Sequence, residues 1–209
     1  MPRWKPDARA RLVSAALELF SERGYDNTTV TEIAERAELS RATFFRYFPD
    51  KREVLTAGQE ALSRLLVEGI AEAPAEATPL AAVRAGLERA AGSMTSFHRE
   101  LGPGLIAVVA GSAELQARDA AKHASMTAAM VAALRERGVP PLVAALAAAL
   151  GGLAFKEAYA TWIADEAAPD LAVLMGKALE RLHEAAGRLD VSLEGSERPR
   201  QDSNLQPTD

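Results

Sequence analysis

The chain of 209 residues has no cysteine. Disulfides and cysteine metal sites are thereby excluded, and the composition fits a reducing compartment, so a cytoplasmic location is expected. The opening stretch MPRWKPDARAR is charged but has no apolar segment, and it does not read as a signal peptide. Long alternating β-branched runs are missing, which argues against strands. The three histidines, His98, His123 and His183, lack metal-ligand spacing, although His98 and His123 could approach each other in space. There is no glycine-rich phosphate loop and no nucleophile motif. No metal, cofactor or enzymatic activity is expected. The most apolar stretch, residues 140–163, is rich in Ala and Gly and contains Lys156 and Glu157. It reads as a buried helix and not as a membrane span.

What is present points to an all-α chain, because Ala, Leu, Glu and Arg dominate. At 48% hydrophobic the chain can bury a substantial core as one or two domains. The net charge of −5 is uneven. Residues 1–52 carry 10 Lys and Arg against 8 Asp and Glu, and the remainder carries 14 against 21. A mildly basic head on an acidic body suits a nucleic-acid module joined to something else.

Start and stop signals divide the chain into about nine helices. The first should run from Asp7 to Arg23, stopped by Gly24. Thr29 and Glu32 form a capping box that opens the second, which ends near Ala37. Ser40 caps the third, which reaches Tyr47 before Pro49. Asp50 and Glu53 form a second capping box and should open a fourth helix toward Glu72. A fifth is expected to run to about His98. Gly102-Pro103-Gly104 should interrupt the next segment, leaving a short sixth helix up to Val109. The seventh spans Ser112 to Arg137, the eighth starts at Pro140-Pro141 and ends near Asp165, and the ninth runs from Pro169 to about Ala186. Beyond Asp190 the chain is polar and aperiodic, and residues 191–209 read as a disordered tail.

Helices two and three are short and separated only by Glu38-Leu39-Ser40. That tight pair is a helix-turn-helix, whose second helix enters the major groove. Phe44 and Phe48 are four apart and should point into a small core with Phe20, Ile33, Ala34 and Leu39. Arg41, Ala42, Phe45 and Arg46 then lie outward, flanked by Thr43 and Tyr47. Arg can read guanine, and Ala or Phe can touch a thymine methyl. Thr43, Tyr47 and Lys51 can bind phosphates, aided by the amide-rich start of the fourth helix. Tyr25 is expected to pack this unit against the fourth helix.

The stretch RARLVSAALELFSERGYDNTTVTEIAERAELSRATFFRYFPDKREVL resembles the N-terminal domain of the TetR family of regulators. The pattern stands here as Arg11-Leu12, Ala15-Ala16, Leu19-Phe20, Gly24-Tyr25, Thr28-Thr29-Val30, Ile33-Ala34, Ala37, Ser40, Thr43, Tyr47-Phe48, Lys51 and Leu55. It covers roughly a fifth of the chain. The resemblance implies that Thr31, Arg41 and Ala42 face bases. Thr29, Thr43, Phe45, Tyr47 and Lys51 would meet the backbone, with Arg46 in either role. Three positions depart from the pattern. Glu38 replaces the usual turn Gly, which costs about 1 kcal/mol at positive φ and adds a repulsive carboxylate. Phe45 replaces Tyr, and Ala42 replaces Gly or Pro.

The resemblance also implies a domain at 1–52 that binds double-stranded DNA at a palindromic operator. A second domain, 53–190, would dimerise and hold a small-molecule effector that releases the DNA. The eighth helix fits a sandwiched role. Leu142, Leu146, Leu150 and Leu153 lie on one side, and Ala148, Gly151, Phe155, Tyr159 and Trp162 on another. One side should meet the core and the other a homodimer partner, with Leu171, Leu174, Ala178, Leu182 and Ala185 of the ninth helix as the matching stripe. Candidate pocket residues are Met94, Phe97, His98, Ile106, Met126, Met130, Phe155, Glu157 and Tyr159. Plain core packing suits the same stripes. Glu157 would touch a ligand or pair with a cation.

Overall fold

In the computed structural model, which describes residues 7–55 and 59–189, helix boundaries follow the capping side chains. α1 (Ala8–Arg23) opens where Asp7 accepts from the Ala10 amide at 2.7 Å, and it stops at Gly24, whose φ is 83°. α2 (Val30–Arg36) opens on the Thr29–Glu32 capping box, with the Thr29 amide donating to Glu32 at 2.8 Å. α3 (Arg41–Tyr47) opens where Ser40 Oγ accepts from the Thr43 amide at 3.0 Å. Six more helices follow among the described residues: α4 (Gln59–Glu72), α5 (Pro79–Ala91), α6 (Ser96–Ala110), α7 (Ala113–Glu136), α8 (Pro141–Ala164) and α9 (Leu171–Gly187). No strand occurs among the described residues, and the chain is all-α. The expected tail falls outside them.

Three boundaries differ from the sequence expectation. Asp50 does accept from the amides of Arg52 and Glu53, but it caps a turn over residues 51–55, and α4 starts at Gln59. The tight bond from the Leu55 amide to the Arg52 carbonyl, 3.1 Å, closes that turn over three residues. The fifth helix ends at Ala91 instead of near His98. His98 belongs to the first turn of α6, where its Nδ1 accepts from the Thr95 amide at 3.2 Å, the part Glu usually plays in a capping box. The sixth helix is not short: α6 continues through Pro103. Proline there removes one hydrogen bond, to the Arg99 carbonyl. The Arg99 side chain offsets this loss by anchoring the turn. Its guanidinium donates to the carbonyls of Trp162, Asp165 and Ala168 at 2.8 to 3.3 Å and lies over the Trp162 ring.

Two hydrophobic clusters organise the chain. One gathers Leu12, Leu19, Phe20, Ile33, Phe44 and Phe48 of the first three helices with Val54, and takes in Val108 of α6 and Leu115 of α7. The other is the body of α4, α5, α7, α8 and α9. α4 and α5 cross closely, because Gly69 and Gly86 meet at the crossing; a Cβ on Gly69 would lie 2.7 Å from the Ala85 carbonyl. Arg137 ties the end of α7 to the end of α4 by donating to the carbonyls of Ala71, Ala73 and Pro74. Tyr25 packs edge-on to Phe20 at 5.1 Å and shares its cluster with Val108 and Leu115. It therefore joins the N-terminal unit to α6 and α7, not to α4 as expected.

α8 is long and apolar enough to cross a membrane, with a mean hydropathy of 1.4 over its best window. Its Ala144, Ala147, Ala148, Gly151, Ala154 and Phe155 are buried in the body. The opposite side leaves Leu142, Val143, Leu146 and Leu153 exposed, at 72%, 43%, 58% and 53%.

Candidate nucleic-acid interface and ligand cavity

The two faces of α3 follow from its period. Phe44 and Phe48 are buried at 0% and 2%, and their rings lie 5.6 Å apart. Arg41, Ala42, Phe45, Arg46 and Tyr47 are exposed. Phe45 is 44% and Tyr47 40% exposed, large for aromatic rings on a short helix. Each is covered in part by a cation: the Arg41 guanidinium lies 5.4 Å from the Phe45 ring, and that of Arg46 lies 5.1 Å from the Tyr47 ring. Neither arginine meets a carboxylate among the described residues. Two unpaired guanidiniums on an aromatic base thus face outward from one helix.

Most other described arginines of this unit are paired with carboxylates, and Arg9 lies 5.8 Å from the Phe48 ring. Arg36 binds Glu18 and Glu22, holding α2 on α1, and Arg23 binds Glu32 at 2.9 Å. The Arg36 interaction holds the Glu22 carboxyl below the usual carboxylate range. Glu38 has φ 54°, the strained turn its position predicts. Its carboxylate does not stand alone. Arg11 pairs with it at 3.1 Å and also donates to the carbonyls of Ala37 and Glu38. The expected repulsion toward a polyanion is thereby offset, because the cation sits on the same turn.

Of the other predicted contact residues, Thr31 is exposed at the start of α2. The Thr29 hydroxyl is committed to Glu32 at 2.8 Å, and that of Thr43 to Ser40 at 2.9 Å. Lys51 departs most from expectation. Its ammonium donates to the carbonyls of Tyr25 at 2.7 Å, Thr28 at 3.0 Å and Asp26 at 3.4 Å, and lies 4.3 Å from the Tyr25 ring. All three N–H donors have acceptors within the chain, so Lys51 clasps the α1–α2 loop where a phosphate contact was expected. Nor does a helix start beside it, as the turn at 51–55 shows.

A cavity of about 580 Å³ opens between α4, α6, α7, α8 and the α5–α6 loop. Met94, His98, Ile106, Phe155 and Tyr159 line it. Four of the predicted pocket residues do not. Met126 and Met130 are buried in the body, at 4% and 1%. Phe97 turns to a separate groove with Arg11, Ala37 and Glu38, because consecutive helical residues point about 100° apart. Glu157 is taken by Arg181 on the exposed side of α8 and α9. Sequence reasoning missed the α7 contribution of Gln116, Asp119, Lys122 and His123. Their i, i+3, i+7 spacing places three of them on one stripe, yet a polar stripe on a long helix reads as solvated surface. Burial raises the Tyr159 hydroxyl and lowers the His98 imidazole and the Lys122 ammonium from their ordinary values.

α6 has a place in both regions. Leu105, Ile106 and Val109 line the cavity, and Val108 packs among the residues of the N-terminal unit. His98 and Phe97 divide in the same way between cavity and α2–α3 turn. At this junction the Tyr25 hydroxyl is buried without a hydrogen-bond partner among the described residues, and burial followed by the Glu114 charge raises it from its ordinary value.

A short helix pair with an outward cationic helix, joined through one helix to a cavity of mixed lining, defines a helix-turn-helix module on an all-α body. Residues 12–57 match the family model described as "Bacterial regulatory proteins, tetR family". The chain is 40% identical over 75 residues to the transcriptional regulator TcmR of Streptomyces glaucescens, 36% of this chain and 33% of that protein. It is 30% identical over 139 residues to EthR of Mycolicibacterium smegmatis, 65% of this chain and 64% of that protein. FadR of Thermus thermophilus, a TetR-family repressor solved with lauroyl-CoA, superposes with a TM-score of 0.52 at 29% identity, over 91% of this chain and 100% of that one. The match spans a third or less of the length of several of these curated relatives. Residues 12–57 thus match the N-terminal domain of the TetR family, and the fold over most of the chain is similar to that of a TetR-family repressor.

Proposed function

We propose that the chain is a cytoplasmic, sequence-specific DNA-binding regulator, a repressor that works as a homodimer and releases its operator when a small molecule fills the cavity. The observation that carries this reading is the outward face of α3. Two arginines without carboxylate partners and two aromatic rings stay largely exposed there, and they match what base edges and phosphates require. Thr31 adds a hydroxyl from α2. Arg41 and Ala42 are assigned to bases. Phe45, Tyr47, Thr29 and Thr43 are assigned to the backbone, and Arg46 to either. Lys51 is assigned to positioning.

The dimer rests on the apolar side of α8. Leu142, Val143, Leu146 and Leu153, with Val173 of α9, form a stripe that a single chain leaves in water. Burying it against a second copy brings two α3 helices to one side, as a palindrome needs. The effector role rests on α6, which packs against both the cavity and the N-terminal unit. A ligand that favours one α6 position shifts the spacing of the recognition helices by its differential affinity for the two states. The lauroyl-CoA complex of the Thermus relative is a precedent for such an occupant.

Selection of bound fragments from random DNA, followed by binding of the enriched fragment to Arg41→Ala protein, tests the reading. Enrichment of a dyad that Arg41→Ala fails to hold supports it. Binding by neither protein at low salt rejects it, and points to a ligand-binding protein without an operator.

A further inference from the structure

Within the cavity, the charges are unbalanced. Lys122 of α7, half-buried, and Lys156 of α8, exposed, line it together with a single carboxylate among the described residues, that of Asp119. Asp119, three residues before Lys122 on α7, acts on the Lys122 ammonium through its charge without a direct bond, and His123 Nδ1 lies 3.5 Å from its carboxylate and 2.8 Å from its backbone carbonyl. Neither lysine has a hydrogen bond or ion pair among the described residues. His98 adds a further donor. Its Nδ1 accepts from the Thr95 amide, so in the neutral ring the proton sits on Nε2. The Tyr159 hydroxyl is spent on the His98 carbonyl at 3.4 Å, and the Gln116 amide nitrogen on the Ala110 carbonyl at 2.8 Å. The Ser93 hydroxyl donates to the Ala90 carbonyl at 2.7 Å, and the rest of the lining is apolar, with Leu62, Leu105, Ile106, Val109 and Phe155 among it.

We infer that the cavity takes an anionic amphiphile, a carboxylate on an apolar skeleton, with the carboxylate at Lys122 and the skeleton along α6 and Phe155. This rests on the reading of the cavity as the effector site. A half-buried ammonium with no hydrogen-bond acceptor is costly, and an incoming carboxylate supplies a direct partner. A neutral ligand leaves that cost in place, and a cationic one adds to it. Desolvation already presses Lys122 toward its neutral form, the condition that a bound anion relieves. The cavity volume of about 580 Å³ suits a ligand with a long or bulky apolar part.

The test is calorimetric titration of the full chain with decanoate, decanol and decylamine, each below its aggregation threshold. Decanoate should bind at least about tenfold more tightly than the other two, the scale of one hydrogen bond to a charge. Lys122→Met should remove that advantage and leave decanol binding unchanged, whereas Lys122→Arg should retain it. Equal or tighter binding of decanol or decylamine to the unsubstituted chain overturns the anion assignment and leaves the cavity reading standing. An unchanged preference in Lys122→Met overturns the role of Lys122. If no probe binds, or if Ile106→Trp, which fills the cavity, leaves binding intact, the cavity reading falls as well.

Discussion

Single residues in the N-terminal unit divide into those spent on structure and those left facing outward. Arg41→Ala removes one guanidinium that is not needed for packing. It should leave thermal stability within about 0.5 kcal/mol and weaken operator binding by about 1–3 kcal/mol, read by gel shift on the selected fragment. Lys51→Met should behave in the opposite way. Losing the donor to three loop carbonyls should cost about 1–3 kcal/mol of stability in a denaturant melt. A phosphate-binding Lys51 would instead leave stability alone and lower the salt dependence of DNA binding. Lys122 carries a sign of its own. Its folded pKa lies below its unfolded value, so the unfolded chain binds the proton more strongly and charged Lys122 opposes folding at all pH values below the unfolded pKa. Lys122→Met should therefore raise the melting temperature of the ligand-free protein at neutral pH, and the gain should shrink as pH climbs toward that of free lysine. The outward residues of α3 were legible in the sequence because a four-residue period fixes their side. The fate of Lys51 was not, since its acceptors lie 23 to 26 positions away in the chain.

At the scale of elements, caps and glycines explain where the sequence speaks plainly. Asp7, Thr29, Ser40 and Ser112 each open a helix by accepting from an amide three residues on. Gly24 and Gly138, both with φ of 83°, close two of these same helices, α1 and α7. Where long-range packing overrides local signals, the sequence misleads. Gly102-Pro103-Gly104 has the composition of a break, yet α6 runs through it. Arg99 is bonded to the far end of α8, and Gly102 lies so close to α8 that a Cβ would stand 2.6 Å from Ile163. Neither partner is near in sequence. The close crossing of α4 and α5 is of the same kind. Gly86→Ala would place its Cβ 2.6 Å from the Leu66 carbonyl, and backbone cannot yield as a flexible side chain does. It should cost about 1–3 kcal/mol in a thermal or denaturant melt, with little effect expected had that glycine been merely a surface residue.

For the whole molecule, the proposed reading assigns DNA to the mildly basic head and a second copy to the apolar stripe of α8 and α9. Leu146→Glu puts a charge in the middle of that stripe, on a residue that is 58% exposed in the single chain. The monomer fold should persist, while sedimentation equilibrium should show about half the mass of the unsubstituted protein. Operator binding should weaken with it, since one module then covers only a half-site. The central claim is that the outward face of α3 reads DNA in a symmetric pair, and selection from random DNA tests it most directly. The expected product is a dyad-symmetric sequence whose half-sites lie about one helical turn, or a multiple of it, apart, and whose enrichment disappears with Arg41→Ala. Recovery of no preferred sequence, or of the same sequence by the Arg41→Ala protein, would contradict it.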